Sequence, residues 1–347
     1  MLSIGKLGAD QVGYYERSVA KGRDDYYSGR GEAPGTWTGR GAEALGLRGQ
    51  VQSAQFNALM RGINPCDPDG GRLRDSGRDP LVVAFDLTFS APKSVSVEYA
   101  TQDDATRQAL VGAHEAAVAA ALGYVEDVAV RVRRGHAGAQ VLPGGGVVAG
   151  AYRHRMSRAL DPQLHTHVVC ANVARGPDGR WTALHAQPLY RHARTAGYLY
   201  QAHLRAEVRD RLGWEWGAVT KGMAELAHSP RGLLEHFSQR SAAVREAAAE
   251  NGQELDSWAR RNHWALKTRE RKHYGIDDHT WFEEVSARAA EHGHDRAARE
   301  AVVAEGQRRL RAGLPHEDPG AARELGDLLA GAAGLTDKAN AFDERDA

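Results

Sequence analysis

The chain has 347 residues, and its 45 basic side chains (Lys and Arg) balance its 45 acidic ones (Asp and Glu). This length can bury a substantial core and predicts one large domain with an appendage. The charge balance excludes a global electrostatic attraction to nucleic acid, so any such binding must come from local patches. The only cysteines, Cys66 and Cys170, exclude a disulfide framework and a cysteine-based zinc site.

Signals for export, membrane insertion and ATP binding are missing from the sequence. The first residues, MLSIGKLGADQVGYYERS, lack the apolar segment of a signal peptide, and no apolar run is long enough to span a bilayer. No GxxxxGK[ST] loop for ATP occurs either. We therefore expect a soluble, intracellular protein without a membrane-inserted part.

Two tyrosine pairs stand near the start of the chain, Tyr14-Tyr15 and Tyr26-Tyr27. Tyr14 is predicted on a short helix with Asp10 as its N-cap, and the Gly-rich run after the second pair predicts an adaptable loop. A phenol attacks phosphorus once its proton is removed or a cation stabilises the phenolate. Aromatic packing is the alternative, and paired tyrosines by themselves favour it.

A strand is predicted where Phe85, Leu87 and Phe89 alternate with Asp86 and a threonine. The apolar residues should face the core, which leaves Asp86 on the other face. A carboxylate within an apolar strand usually has a partner, because burying an unpaired charge is costly. We expect that partner to be a metal-binding histidine, which Asp86 would orient. Acceptance of a tyrosine proton and a solvated position on the sheet are the alternatives.

Three histidines, His154, His165 and His167, follow further along the chain. On a strand alternate side chains share a face, so His165 and His167 point the same way. The turn-forming Asp161-Pro162 lets the chain return so that His154 can supply a third imidazole. Three neutral imidazoles can hold a divalent cation and leave its other positions open. The alternative is a strand with incidental surface histidines.

Strands and helices alternate through the first two thirds of the chain. Helices are predicted at 103–125 and 190–212, and strands at 128–133, 147–154, 181–184 and, as a short pair, within 214–226. This order predicts an α+β fold in which helices pack on one face of a sheet.

The composition changes near residue 229, after which Ala, Arg and Glu predominate and several helices are predicted. Basic clusters with interleaved aromatics, such as the one between Trp258 and Trp264, fit a clasp over single-stranded nucleic acid. An ordinary amphipathic helical subdomain is the alternative. We divide the chain into a catalytic unit, a helical DNA-clasping unit and a weakly ordered tail, at residues 1–228, 229–312 and 313–347.

The motifs YYERS, DDYY and FDLTFSAPKSVS, with H-x10-H-x-H around DPQLHTHVVCAN, occur together in this chain. Their combination resembles the relaxase domain of conjugative relaxases of the TrwC/TraI (MobF) type, within the HUH endonuclease group. The resemblance covers roughly residues 1–300. It implies a palm-like antiparallel sheet that bears a three-histidine metal site. It also implies a nickase that cleaves a plasmid transfer origin and attaches to the DNA through a tyrosine.

Carried over to this chain, the resemblance implies that Tyr14 is the primary nucleophile and that Tyr26 serves a second strand transfer. Tyr15 and Tyr27 match the remaining tyrosines of the family. The gap between the two pairs is a few residues longer than the family pattern. Asp86 matches the carboxylate beside the site.

The resemblance further implies a divalent cation, Mg²⁺ or Mn²⁺, with Zn²⁺ or Ni²⁺ as substitutes in vitro, held by His154, His165 and His167. The implied partners are single-stranded and hairpin DNA of a transfer origin, relaxosome accessory proteins and a coupling protein. The implied protein is a monomer in the bacterial cytoplasm, which can also reach a recipient cell attached to DNA. The helicase portion usual in the family is missing from the sequence, which predicts a shortened or stand-alone relaxase.

Three other functions compete with this interpretation. A rolling-circle replication initiator or a transposase of the HUH group would use the same chemistry at a different origin. A non-catalytic DNA-binding accessory protein would keep the fold and use the histidines structurally. A metallohydrolase is less well supported, because no H-E-x-x-H helix with its general base occurs.

Overall fold

The structure is a computed structural model that describes residues 1–8, 34–74, 81–255, 258–268 and 277–313. Its main sheet is antiparallel, with the spatial order β1 (Leu2–Leu7), β3 (Ala84–Ser90), β7 (Pro162–Ala171), β6 (Ala149–Met156) and β2 (Thr36–Thr38). Two small ribbons pair β4 (Arg131–Arg134) with β5 (Gln140–Pro143) and β8 (Ala174–Arg175) with β9 (Trp181–Thr182).

Helices within the described residues are, in chain order, α1 (Arg40–Ala44), α2 (Ser53–Met60), α3 (Lys93–Thr101), α4 (Asp104–Val128), α5 (Gln187–Arg191), α6 (Ala193–Leu212), α7 (Arg231–His236), α8 (Gln239–Glu250), α9 (Trp258–Lys267), α10 (Asp278–Ala290) and α11 (Arg296–Ala312). None of them is both long and apolar enough to cross a membrane.

One face of the sheet carries the larger hydrophobic core. Phe85, Leu87 and Phe89 of β3 are buried there against α3, α4 and α6, as their period-two spacing predicts. Helix α4 begins at its N-cap Asp103, whose carboxylate accepts a 2.8 Å hydrogen bond from the Thr106 N–H. The predicted α+β class with an antiparallel palm is confirmed. The prediction that helices pack on one face only is wrong, because the short helices α1 and α2 cover part of the opposite face.

The opposite face of the sheet has two parts, one at each end of the strands. At the end where Ala84 pairs with Ala171, a second cluster packs beneath α1 and α2 and includes Trp37 and Phe56. The ring of Tyr152 belongs to this cluster and lies edge-on to Phe56, with centroids 5.9 Å apart. The other end of this face carries the histidines.

Helices α7 to α11, here called the helical unit, follow the sheet in sequence. Trp281, Val285 and Ala289 of α10 are buried in the same core as the residues of β3. Trp264 of α9 is only 4% exposed, so its ring is not free to stack on a base in this structure. The helical unit is therefore packed against the palm, and its division from the palm at residue 228 stays a prediction.

Several elements differ from the sequence-based expectations. The structure contains elements that were not predicted, namely strands β1, β2 and β5 and helix α3. The strand pair expected within 214–226 forms only isolated bridges, Trp216 with Leu226 and Thr220 with Met223. Helix α3 escapes prediction because it is buried on all sides from Ser94 to Thr101 and thus has no apolar stripe. The predicted helix around Tyr14 and the tail from residue 314 lie outside the described residues.

Candidate functional site

The three histidines meet at one end of the sheet, on the face opposite α3, α4 and α6. His154 of β6 lies directly across from His165 of β7, and His167 pairs with Tyr152, two residues further along. Their ring centroids are 5.2 Å apart for His154 and His165, 5.0 Å for His154 and His167, and 5.1 Å for His165 and His167. Adjacent antiparallel strands therefore place all three rings around one point.

Each ring offers a nitrogen to a metal ion, and these ligand atoms all lie within 4.8 Å of one another. The Nδ1 of His165 is 2.7 Å from the Gln163 carbonyl oxygen, and the Nδ1 of His167 is 2.9 Å from Asp86. A neutral imidazole that donates from Nδ1 presents the lone pair of Nε2. The donor set therefore fits a divalent cation held by His154, His165 and His167.

Asp86 of β3 reaches the site from the neighbouring strand. Both of its carboxylate oxygens lie 2.9 Å from the Nδ1 of His167, and one of them accepts a 3.1 Å hydrogen bond from the Thr88 hydroxyl. The Thr88 hydroxyl also lies 3.0 Å from the same nitrogen. A carboxylate against the far nitrogen of a histidine fixes the tautomer and ring orientation that a metal ligand requires.

Behind the site, on the helix side of β7, lies a buried polar network. The Nε2 of His114 is 2.8 Å from the hydroxyl of Thr166, the residue between the two ligand histidines, and its Nδ1 is 2.7 Å from the Tyr200 hydroxyl. Burial lowers the pKa of His114 to about 3, with further lowering from the charges of Arg153 and His165. The ring is therefore neutral and links α4 and α6 to the middle of the ligand strand.

Lys93, at the start of α3, supports the first residue of that strand. Its ammonium donates a 2.7 Å hydrogen bond to the carbonyl oxygen of Pro162. Burial lowers the pKa of Lys93 to about 8, while the charges of Asp161 and Glu225 oppose that change. The ligand strand is thus held at its first residue as well as at Thr166.

The four tyrosines of the sequence motifs lie within residues 9–33, outside the described residues. The described chain on either side shows where this segment is attached. It leaves β1 beyond Leu7, which pairs with Ala84, and it returns to β2, where Thr36 pairs with Ala151. Gly35 lies against the Tyr152 ring, which a Cβ there would meet. The described residues that follow the segment, Gly35 and Thr36, therefore lie alongside β6 next to Tyr152 and Ala151.

Residues 8–292 match the family model described as TrwC relaxase. This match covers well over half of the chain. The chain belongs to the TrwC relaxase family. The resemblance inferred from the sequence motifs is confirmed, and the antiparallel palm with its paired-histidine strand is the HUH relaxase fold of this family.

Relatives within the TrwC relaxase family support this placement. The multifunctional conjugation protein TraI of Escherichia coli is 37% identical over 310 residues, which are 86% of this chain and 17% of TraI. The chain therefore spans about a sixth of that curated relative. A metal-bound structure of the conjugative relaxase TrwC with oriT DNA is 33% identical, has a TM-score of 0.74, and matches over 85% of this chain and 99% of the TrwC chain.

A second TrwC structure contains a 27-mer DNA with the recognition hairpin and the cleavage site. It is 32% identical, has a TM-score of 0.73, and matches over 85% of this chain and 99% of that chain. Both structures hold DNA on the fold that this chain shares.

Among the residues proposed from the TrwC relaxase motifs, the structure brings four together: the three histidines and Asp86. Thr88 and the Gln163 carbonyl were not anticipated, although Thr88 lies two residues after Asp86 and so shares its strand face. His114 was not anticipated either, and no local pattern identifies it, because its partners lie 52 and 86 residues away in sequence.

Proposed function

We propose that this chain is a metal-dependent DNA relaxase, which nicks one strand of a conjugative transfer origin and can rejoin it through a covalent tyrosine intermediate. The observation that carries the proposal is the cluster of three imidazole ligand atoms within 4.8 Å of one another, supported by Asp86, in a chain of the TrwC relaxase family.

Tyr14 would be the nucleophile. Its phenolic oxygen would bond to phosphorus as the bond from phosphorus to the 3′ oxygen breaks, which leaves a 5′-phosphotyrosine and a 3′-hydroxyl. The phenol loses its proton and the 3′ oxygen gains one. Because one phosphodiester replaces another, the reverse reaction can rejoin the strand without ATP. Tyr26 would serve a second strand transfer, with Tyr15 and Tyr27 beside them.

His154, His165 and His167 would hold a divalent cation, Mg²⁺ or Mn²⁺, with Zn²⁺ or Ni²⁺ as substitutes in vitro. A cation bound there supplies positive charge to the phosphate oxygens that become more negative during attack. Asp86 would orient His167, because both of its oxygens contact the Nδ1 of that ring. Acceptance of the tyrosine proton by Asp86 is secondary, since those contacts already occupy the carboxylate.

The DNA substrate would be a hairpin followed by an unpaired strand, because the reacting phosphodiester must reach a site on the sheet surface as single-stranded DNA. The helical unit would close over that strand. We further propose that the protein acts as a monomer in the cytoplasm and that relaxosome accessory proteins and a coupling protein assist it.

Denaturing gel electrophoresis tests the proposal. Labelled single-stranded oligonucleotides are mixed with protein and Mg²⁺. The oligonucleotides cover the DNA that flanks the gene, and some of them contain a hairpin followed by an unpaired strand. The 27-mer bound by TrwC likewise comprises the recognition hairpin and the cleavage site. We expect a covalent protein–DNA band for the wild type and for the control Tyr190→Phe, and no band for Tyr14→Phe. A full band from Tyr14→Phe would assign the nucleophile to another tyrosine. Binding without any covalent band would support a non-catalytic accessory protein.

A further inference from the structure

The turn between β6 and β7 joins the two strands that carry the ligand histidines. The Ser157 N–H donates to the Asp161 carbonyl oxygen at 2.9 Å, and the Leu160 N–H donates to the Ser157 carbonyl oxygen at 3.1 Å. Leu160 adopts a left-handed backbone conformation, with φ at 60°. The pairing register also shifts between His154 and Met156, just before the turn. The turn that connects His154 to His165 therefore has an irregular backbone.

Two groups of the turn are held by the helical unit. The Trp281 Nε1–H donates a 3.0 Å hydrogen bond to the Leu160 carbonyl oxygen. The Asp161 carboxylate, only 1% exposed, accepts from the backbone N–H of Gln239 at 2.8 Å and from the Arg288 guanidinium at 3.3 Å. Gln239 is the first residue of α8, where backbone N–H groups have no partner within the helix. The two Asp161 oxygens thus each contact a donor from a different helix.

Arg288 is itself held in place. Its Nε donates to the Nε2 of His236 at 3.3 Å, and its guanidinium carbon lies 4.6 Å from the centre of the Phe237 ring. From the palm side, the Lys93 ammonium holds the Pro162 carbonyl oxygen at 2.7 Å. The turn is therefore fixed between α3 of the palm and α8 and α10 of the helical unit.

We propose that Asp161 and Arg288 are positioning residues of the metal centre, which tie the β6–β7 turn to the helical unit and thereby set the position of His154 relative to His165. This inference deepens the proposed function and rests on it for its consequence in DNA cleavage. The mechanism is indirect, since neither residue is one of the metal ligands. Supporting residues beyond the ligands commonly set metal affinity, because ligand geometry must be held to a fraction of an ångström.

Cobalt titration of the full chain tests the inference. Metal-free protein is titrated with Co²⁺ well below its melting temperature, and binding is followed by visible absorption and by calorimetry. Asp161→Asn keeps the size of the side chain. Its amide offers Arg288 either an N–H₂ group, which cannot accept, or a neutral oxygen, which accepts more weakly than a carboxylate. We expect Co²⁺ affinity to fall about 10- to 100-fold, with an altered absorption spectrum. The control Arg296→Gln removes an exposed ion pair with Glu300 and should leave both unchanged.

Trp281→Phe provides a second variant, because it removes the hydrogen bond to Leu160 but keeps a buried aromatic ring. We expect it to weaken Co²⁺ binding in the same direction. A purely structural role would lower the melting temperature without changing the Co²⁺ affinity or spectrum of the folded protein. Variants that behave in this way would overturn the inference. The same holds if Asp161→Asn fails to fold and Trp281→Phe binds Co²⁺ as the wild type does.

The Co²⁺ titration and the assay for the covalent DNA adduct can fail independently of each other. If the wild type forms no covalent DNA adduct while Asp161→Asn still loses Co²⁺ affinity, the relaxase proposal fails and the positioning role stands. If the adduct forms and both turn variants bind Co²⁺ normally, the positioning role alone fails.

Discussion

The Nδ1 atom of His167 lies 2.9 Å from each carboxylate oxygen of Asp86. Strand pairing places the two residues close together, because Thr88 of β3 is directly opposite His167 and Asp86 is two residues away on the same face. The carboxylate therefore favours the tautomer of His167 that carries its proton on Nδ1, which leaves Nε2 available to a cation.

Replacing Asp86 by Asn should weaken metal binding without removing a ligand. The amide can place its N–H₂ group against the Nδ1 of His167 and so favour the wrong tautomer. We expect Co²⁺ affinity, measured by calorimetry, to fall about 10- to 100-fold. Asp127→Asn is the control, because Asp127 is exposed and pairs with Arg40 far from the site. Equal affinities for both variants would contradict an orienting role for Asp86.

Replacing His165 and His167 together by Ala should abolish metal binding. Two of three ligands are lost, while both side chains are only half-buried and lie outside the main core. We expect no measurable Co²⁺ binding and no metal-dependent nicking, with the far-UV circular dichroism spectrum retained. His203→Ala, an exposed position on α6, serves as the control. A double variant that still binds one equivalent of Co²⁺ would place the metal site elsewhere.

Strands and helices that bury only one face were predictable, because one-sided burial produces a local pattern of apolar residues. The alternation of Phe85, Leu87 and Phe89 predicts β3, and an apolar stripe that includes Val118 and Leu122 predicts α4. The H-x10-H-x-H spacing predicts that β6 and β7 bring three histidines to one face, and the structure has them there. Each of these signals lies within a short stretch of sequence.

Features that depend on distant partners were not predictable in this way. Asp161 gains its partners from Gln239 and Arg288, which follow it by 78 and 127 residues. Helix α3 is buried all round, so its sequence carries no helical period. The catalytic roles proposed for the tyrosines rest on the family resemblance, because residues 9–33 lie outside the described part of the chain.

Removing the hydroxyl of Tyr200 should destabilise the fold. That hydroxyl lies 2.7 Å from the Nδ1 of His114 in a fully buried site, and its loss leaves a ring nitrogen without this partner. We expect Tyr200→Phe to lower the free energy of unfolding by about 1–3 kcal/mol, measured by urea denaturation. Tyr190→Phe, whose side chain is partly exposed, should change it by less than about 0.5 kcal/mol. Similar values for the two variants would rule out an energetic role for the His114 network.

Glu98 should make the stability of the protein depend on pH in acid. This buried carboxylate of α3 lies 2.9 Å from the His228 Nε2, accepts from the Gln102 amide at 2.7 Å, and lies 3.4 Å from the His294 Nε2. Burial alone would raise the pKa of Glu98, but the hydrogen bonds and charges of the two histidines outweigh burial and bring the pKa to about 2. The carboxylate thereby links the palm to the helical unit.

A folded pKa below the ordinary value of 4.5 means that the native state favours the ionised form. The resulting stability is fully present above pH 4.5 and is lost as the pH falls toward 2. Its size is on the order of 3 kcal/mol. Urea denaturation of Glu98→Gln across this range should show a shallower loss of stability on acidification than the wild type. Glu283→Gln, an exposed partner of His279 on α10, should follow the wild-type curve. Parallel curves for Glu98→Gln and the wild type would show that the ionised carboxylate does not stabilise the contact between α3 and the helical unit.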